Sequence, residues 1–334
     1  MNAIGFSLWC DFVERSFLEG EFGELLEKNI VNAATSNPSI FKSAFLTSKA
    51  YAQDKAGLQG KSPKEIYEAL AISDIQLAAS KLLPLYEKGD DGFISIEVDP
   101  FLCDDASATI EEGRRLFKTI GFPNVMIKVP ATNAGFVAME TLLGEGINVN
   151  ATLIFSPAQT KGCLDAFAKA NKHFLENHPN GNLPSGVISI FVSRFDRKLD
   201  DVLKKIDFVV SRVGIMNAIR LYEMIESHKL PNIRALFAST GVKGDLLRAD
   251  YYIRELLFKN AINTAPLSTI KDFIDAKDSA KEIKLRKDEV KNFFDSLDAN
   301  GVDMDKVCDE LMEEGLVAFK EAFSEILVAL STKS

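Results

Sequence analysis

Cysteine is scarce in this sequence of 334 residues, and basic residues are outnumbered by acidic ones. The four cysteines lie far apart and include no Cys-x-x-Cys pair, so neither a disulfide framework nor a zinc knuckle is expected. The 39 Lys and Arg against 48 Asp and Glu give a net charge of −9, which argues against the extended basic surface of a nucleic-acid-binding protein. Any anionic ligand is therefore expected to be small and locally bound.

Long apolar runs and metal-binding patterns are also missing. No stretch approaches the ~18 uninterrupted apolar residues of a membrane span, and residues 1–10 lack the features of a cleavable leader, so a cytoplasmic protein that contacts no membrane is expected. Segments 87–98 and 298–309 faintly resemble calcium loops but lack, respectively, the bidentate Glu and the invariant Gly. No metal site is predicted.

Eight short β-branched or apolar runs recur along the chain, each followed by a longer segment with helical periodicity. They predict strands at 4–9, 29–33, 93–98, 125–129, 147–154, 186–192, 233–238 and 262–266. The clearest helical segments are 64–88, 105–119, 157–177, 196–207 and 211–227. Because 46% of the residues are hydrophobic, the chain can fill one large core.

Strands that alternate with helices eight times predict a parallel sheet, and eight such units are what a closed (β/α)8 TIM barrel requires. The alternative is an open doubly wound sheet. No Gly-x-Gly-x-x-Gly follows any strand, which weakens the dinucleotide-binding version of that alternative. Residues 302–330 carry an apolar stripe at helical spacing and are expected to form one or two helices packed on the barrel. Because this segment is not expected to form a separate domain, residues 1–334 are interpreted as a single α/β domain.

Polar residues occur near the C-terminal ends of the strand runs, where barrel enzymes gather their functional groups. These candidates are Asp11, Asn37, Glu97, Lys128, Asn150, Thr152, Ser189, Arg194, Ser239 and Lys243. Asn150 and Thr152 share one face of the fifth strand, and a buried polar pair is costly unless it is used or hydrogen-bonded. Hydroxyls and cations after the sixth and seventh strands suit a phosphate, although Arg194 could equally be a solvated charge at a helix start.

Lys128 lies in the fourth run, Val-Met-Ile-Lys-Val-Pro, on the face expected to point into the barrel. Burial of a lysine disfavours its charged form, and the neutral amine is a nucleophile for a ketone carbonyl. Asp11 and Glu97 are inward carboxylates by the same register and could supply the acid and base that Schiff-base chemistry needs. The alternatives are a buried salt bridge from Lys128 to Glu97 and a lysine whose head reaches solvent past the strand end.

Six short strings follow one another in the order in which transaldolases carry their signatures. They are 34–39 (ATSNPS), 96–99 (IEVD), 127–132 (IKVPAT), 146–156 (GINVNATLIFS), 188–194 (ISIFVSR) and 238–243 (ASTGVK). The sequence therefore resembles the transaldolase family over almost its whole length, which implies a (β/α)8 barrel enzyme that uses no cofactor. Two departures, Ser36 for a common Thr and Ile190 for a frequent Pro, remove no functional group.

The resemblance implies a role for each candidate. Lys128 forms the Schiff base with a ketose phosphate, and Asp11 takes and returns the proton of the hydroxyl next to the cleaved bond. Glu97 and Thr152 hold a water that relays protons. The implied substrate-binding residues are Asn37 and Asn150 for hydroxyls, Ser189 and Phe191 as lining, and Arg194, Ser239 and Lys243 for the phosphate.

The expected reaction moves a dihydroxyacetone unit from sedoheptulose 7-phosphate to glyceraldehyde 3-phosphate, giving erythrose 4-phosphate and fructose 6-phosphate in the pentose phosphate pathway. One alternative is a fructose-6-phosphate aldolase, whose group releases free dihydroxyacetone and carries Gln and Tyr in place of Glu97 and Phe191. Another is a catalytically silent barrel that binds sugar phosphates. The expected partners are small sugar phosphates, and a monomer or a homodimer is expected.

Overall fold

Eight parallel strands close into a barrel in the computed structural model, which describes residues 4–244, 246–276, 281–284 and 287–331. Each strand pairs with its neighbours in sequence, and the first pairs with the last. The strands are β1 (Ser7–Cys10), β2 (Ala33–Thr35), β3 (Ile94–Glu97), β4 (Val125–Pro130), β5 (Asn148–Ile154), β6 (Gly186–Phe191), β7 (Ile233–Ala238) and β8 (Ile262–Ala265). The predicted (β/α)8 TIM barrel is confirmed, and the open doubly wound sheet is excluded.

Helices surround the barrel. Those of the described residues are α1 (Arg15–Glu19), α2 (Glu21–Glu27), α3 (Pro38–Thr47), α4 (Ala52–Gly57), α5 (Pro63–Glu87), α6 (Ala106–Ile120), α7 (Asn133–Gly144), α8 (Pro157–Asn177), α9 (Ser193–Lys205), α10 (Val213–His228), α11 (Tyr251–Glu255), α12 (Leu267–Asp275), α13 (Lys287–Ala299) and α14 (Met304–Ser331). The five helices predicted most clearly therefore occur within three residues of their expected bounds.

Side-chain alternation along each strand decides what faces the barrel axis. In β4, Ile127 and Val129 belong to the apolar layer between barrel and helices, whereas Met126 joins a second cluster inside the barrel. Lys128 follows Met126 on the inward face, nearer the C-terminal end of the strand. The strand therefore places an apolar residue deep in the barrel and an amine at its mouth.

Two of the long helices begin with capping boxes that the sequence makes visible. Ser62 precedes α5 and exchanges hydrogen bonds with Glu65, and Ser156 precedes α8 and does the same with Gln159. Gln159 also donates from Nε2 to the carbonyl of Leu153 at 2.9 Å. The cap of α8 therefore also anchors the C-terminal end of β5.

The second strand lies later in the chain than the sequence predicts. The prediction of 29–33 is wrong by several residues, because Asn29 adopts φ 53° in the turn after α2 and the backbone N–H of Ile30 bonds back to Leu25. β2 forms only at Ala33–Thr35. Of the charge-rich segment 278–292, residues 278–280 and 285–286 lie outside the described residues.

Helix α14 packs along the barrel at the C-terminal ends of the strands, against α3, α5, α9 and β5. Lys198 of α9 pairs with Glu310 at 2.8 Å and Glu314 at 2.6 Å. A Cβ at Gly315 would lie 2.9 Å from Leu153 and 3.1 Å from the guanidinium of Arg194, so a larger residue would require both side chains to shift. The apolar stripe predicted at 302–330 thus belongs to one continuous helix that reaches the barrel mouth.

Candidate active site

A cavity of about 340 Å³ opens at the C-terminal ends of the strands. Every candidate taken from the sequence lines it except Glu97, which is buried beside Lys128. The predicted residues that line it are Asp11, Asn37, Lys128, Asn150, Thr152, Ser189, Phe191, Arg194, Ser239 and Lys243. Because they come from six strands and the loops that follow them, only the closed barrel brings them together.

Lys128 is 5% exposed and forms part of the cavity wall. Its Nζ donates to the backbone carbonyl of Ser36 at 3.1 Å and lies 3.5 Å from Oε2 of Glu97, its register partner on β3. The ring of Phe319 from α14 covers it with a centroid 5.8 Å from Nζ. The amine therefore faces a cavity large enough for a sugar phosphate while bulk water is held away from it.

Burial raises the pKa of Glu97 to about 7, because desolvation outweighs the opposing charge of Lys128. Neither of its carboxylate oxygens, nor the buried hydroxyl of Thr152, has a hydrogen-bond partner among the described residues. A carboxyl group with a pKa near neutrality can both give and take a proton. A salt bridge between Lys128 and Glu97 was the alternative to a catalytic lysine. The two side chains approach to 3.5 Å between Nζ and Oε2, which is long for a charge-assisted hydrogen bond.

Glu97→Gln is expected to flatten the pH dependence of stability. The folded-state pKa of Glu97 is raised to about 7, so its contribution to stability is complete below the unfolded value of about 4.3 and is lost as pH rises through 7. Unmodified protein should therefore lose stability relative to the variant between about pH 5 and pH 8. Urea unfolding at each pH measures this, with the exposed Glu19→Gln as control, and equal slopes for Glu97→Gln and unmodified protein would contradict the assignment.

Asp11 follows β1 and is held by groups that the sequence analysis did not select. Its backbone N–H donates to the carbonyl of Ala265 at 2.8 Å, and its Oδ1 accepts from Thr35 Oγ1 at 2.7 Å. Thr35 in turn contacts Thr264 Oγ1 at 2.8 Å. Burial raises the pKa of Asp11, and the charge of Lys128 partly opposes this. Asp11 is thus a second carboxyl group suited to proton transfer.

Asn150 is fixed by two serines in the barrel interior. Its Oδ1 accepts from Ser189 Oγ at 2.7 Å, and its Nδ2 donates to Ser95 Oγ at 3.0 Å. Ser95 was missed by the sequence analysis, although it precedes Glu97 by two residues and therefore shares its inward face. The hydrogen bonds fix the amide beside Lys128, its register partner on β4.

Two residues other than glycine adopt positive φ at strand ends next to the cavity. Leu153 has φ 59° at an irregularity in the pairing of β5 with β6, directly after Thr152, and Ser239 has φ 54° directly after β7. Such conformations cost of order 1–3 kcal/mol and cluster at functional sites. Here they set the direction of the strand ends that carry Thr152 and Ser239.

Asn37 both lines the cavity and caps a helix. Its Oδ1 accepts from the backbone N–H of Ile40 at 3.0 Å and so begins α3. The cap fixes the side chain at the cavity wall. The oxygen is therefore engaged in the helix, and the amide nitrogen is the part of Asn37 that can face a ligand hydroxyl.

Cations and hydroxyls gather on the side of the cavity formed by β6 and β7. The guanidinium of Arg194 lies 5.0 Å from the ring centroid of Phe191, and burial, reinforced by Arg197, lowers its pKa to about 10. Ser239 Oγ is 3.1 Å from Ser193 Oγ, and Lys243 lies exposed at the edge. Arg194 is half-buried in the cavity wall, which disfavours the alternative of a solvated charge at a helix start.

The chain is similar to known proteins over almost its whole length. The model of the transaldolase/fructose-6-phosphate aldolase family matches residues 8–330. The chain belongs to this family. A transaldolase of Campylobacter jejuni subsp. doylei is 49% identical over 330 residues, which cover 97% of this chain and 99% of the relative. A transaldolase of Helicobacter pylori is 44% identical over 324 residues, or 96% and 98% of the two chains.

In this member of the transaldolase/fructose-6-phosphate aldolase family, a larger cavity of about 660 Å³ lies at the opposite end of the barrel. There Arg234 pairs with Asp91 at 2.6 Å, and Asp91 also accepts from the indole of Trp9 at 2.8 Å. In barrels of this kind, the N-terminal end serves stability and the C-terminal end serves chemistry. The smaller cavity is therefore the candidate active site.

Clusters of metal ligands and membrane-spanning helices are both absent from the described residues. No group of three or more metal-ligating side chains comes together in the part of the chain that the structure describes. Among the same residues, no helix combines the length and the hydropathy needed to cross a bilayer.

Proposed function

We propose that this chain is a transaldolase that moves a dihydroxyacetone unit from sedoheptulose 7-phosphate to glyceraldehyde 3-phosphate. The observation that carries the proposal is the buried amine of Lys128, which faces the cavity beside two carboxyl groups of raised pKa. Full-length relatives that are 44–49% identical and are named transaldolase support it. The silent sugar-phosphate-binding barrel is disfavoured, because two buried acids and a buried amine are costly without a use.

In the first half-reaction, the Lys128 ammonium gives up a proton, and the free amine attacks the ketone carbon of the donor. The resulting carbinolamine loses water and becomes an iminium ion. Glu97 and Thr152 are proposed to hold a water that carries protons to and from the leaving hydroxyl. Asp11 then removes the proton of the C4 hydroxyl, the C3–C4 bond breaks, and its electron pair passes to the iminium as erythrose 4-phosphate leaves.

In the second half-reaction, the three-carbon enamine on Lys128 attacks the aldehyde carbon of glyceraldehyde 3-phosphate. Asp11 returns its proton to the new hydroxyl, and addition of water to the iminium releases fructose 6-phosphate and the free amine. No cofactor is needed, because the protonated imine itself accepts the electron pair. The proposed substrate contacts are Asn37 and Asn150 to hydroxyls, Ser189 and Phe191 as lining, and Arg194, Ser239 and Lys243 to phosphate.

The aldolase alternative differs in the fate of the three-carbon imine. The apolar ring of Phe191 offers a hydrolytic water no hydroxyl partner, so the imine is expected to wait for an aldehyde acceptor. The relatives' name also favours transfer over release. Substantial formation of glyceraldehyde 3-phosphate from fructose 6-phosphate alone would move this chain to the aldolase side of its family.

Borohydride reduction in the presence of fructose 6-phosphate tests the covalent step. The expected product is one reduced three-carbon unit on Lys128, located by intact mass and peptide mapping, because this amine, unlike the other lysines in the part of the chain that the structure describes, combines burial with a place in the cavity wall. Lys243, the exposed lysine of the same cavity, serves as the internal control and should stay unmodified. An adduct elsewhere, or none at all, would contradict the mechanism.

We further propose that residues 1–334 act as one domain, with 302–330 as a helical segment packed on the barrel. We also propose a cytoplasmic enzyme, monomeric or homodimeric, whose partners are sugar phosphates and which does not bind nucleic acid. The net charge of −9 supports the last point, because nucleic-acid binding needs an extended basic surface.

A further inference from the structure

Arg197 is a second arginine of the cavity wall that the sequence analysis did not select. Helix α9 starts at Ser193, directly after β6, and Arg194 and Arg197 stand three residues apart near its start. Residues at this spacing lie on the same face of a helix. Both arginines line the cavity of about 340 Å³, with Arg194 half-buried and Arg197 exposed at its outer edge.

The carboxylate that acts on Arg194, Glu314 of α14, is shared with Lys198. Glu310 and Glu314 of α14 pair with Lys198, at 2.8 and 2.6 Å. Neither Arg194 nor Arg197 forms an ion pair or a side-chain hydrogen bond with any residue in the described ranges 4–244, 246–276, 281–284 and 287–331. Two like charges at this spacing repel each other, and Glu314 offsets this repulsion only partly because it pairs with Lys198.

The lowered pKa of Arg194 also indicates that the positive charge on this face of α9 is not fully neutralised. Burial lowers the pKa of Arg194 to about 10, and the charge of Arg197 acts in the same direction. An anion between the two guanidinium groups would remove this mutual repulsion. Such an anion would also accept hydrogen bonds from two rigid donor forks, the geometry that arginine offers to phosphate.

We propose that Arg197 is a specificity-determining residue that binds the substrate phosphate together with Arg194. Arg194 contacts the phosphate from inside the cavity, and Arg197 contacts it from the outer edge. The pair favours dianionic phosphate esters over unphosphorylated sugars as donors and acceptors. This inference rests on the proposed function for its substrate class, but it concerns a binding contact that can be measured without catalysis.

Calorimetric titration with inorganic phosphate tests the contact on the full-length protein. Arg197→Ala is expected to raise the dissociation constant for phosphate about tenfold, the effect of one charge-assisted hydrogen bond, and Arg197→Lys should recover part of it. The matched control is Lys204→Ala, which removes a cation from the same helix where Lys204 pairs with Asp201 at 3.4 Å. Its phosphate affinity should equal that of unmodified protein.

Steady-state kinetics separate binding from structural damage. Arg197→Ala should raise the KM for fructose 6-phosphate by a similar factor with kcat little changed, and the KM for unphosphorylated dihydroxyacetone as donor should not move. Unchanged phosphate affinity in Arg197→Ala, an equal loss in Lys204→Ala, or no phosphate binding by unmodified protein would each overturn the proposal. A failed borohydride trap with intact phosphate binding would instead overturn the catalytic assignment alone.

Discussion

Lys128→Ala is expected to lose transaldolase activity by on the order of 10⁴-fold or more, because no Schiff base can form without the amine. Its fold should survive. Removal of the ammonium leaves Glu97 without its neighbouring cation, but burial already favours the neutral form of that carboxyl group. A coupled assay with fructose 6-phosphate and erythrose 4-phosphate measures the loss of activity, and circular dichroism measures the fold.

Lys128→Met is the matched companion variant. Methionine fills most of the volume left by the lysine stem under the ring of Phe319, so any loss of activity that it shares with Lys128→Ala comes from the missing amine and not from a cavity. Retained transfer in either variant would refute the covalent mechanism. An unfolded Lys128→Ala together with a folded, active Lys128→Met would assign Lys128 to stability.

Gly135→Ala is expected to destabilise the protein by about 3 kcal/mol, the upper end of the usual cost of overpacking. Gly135 lies in the first turn of α7, and a Cβ there would stand 2.0 Å from the backbone carbonyl oxygen of Pro130. That oxygen also accepts from the backbone N–H of Thr132 at 2.9 Å, so it cannot move without disturbing the end of β4. Chemical unfolding followed by the fluorescence of Trp9, the single tryptophan, measures the change.

Gly57→Ala provides the control for Gly135→Ala. Gly57 ends α4 and is exposed, and a Cβ added there would meet no atom within 4 Å, so alanine should be neutral or slightly stabilising through its helix propensity. The difference between the two variants isolates the steric contact. If Gly135→Ala unfolded at the same denaturant concentration as Gly57→Ala, the close approach of α7 to β4 would be wrong.

The sequence predicts those parts of the site that depend on strand parity. Because side chains alternate along a strand, the inward positions of Lys128 and Glu97 follow from their neighbours once each strand is recognised. The same rule could have identified Ser95, which was overlooked because a serine in an apolar strand carries no charge to attract attention. The position of the second strand was predicted wrongly because a strand of three residues is too short to show periodicity.

Other parts of the site depend on tertiary contacts that one sequence does not reveal. Phe319 belongs to the apolar stripe of α14, and nothing in that stripe indicates which ring will cover Lys128. Thr264 meets Thr35 only because β8 closes the barrel near β1. In the sequence, Arg197 resembles any surface charge. Only the structure shows that it lines the cavity and that Glu310 and Glu314 pair with Lys198.

Closure of the barrel by β1 and β8 has a consequence for synthesis on the ribosome. Ser7 finds its register partner, Ile262, only after more than 250 further residues have been made, and Asp11 waits equally long for the carbonyl of Ala265. Until then the first strand has one unpaired edge, which is a site for wrong pairing between nascent chains. Synthesis through Ala265 therefore precedes closure of the barrel, and translation products that end before β8 are not expected to be active.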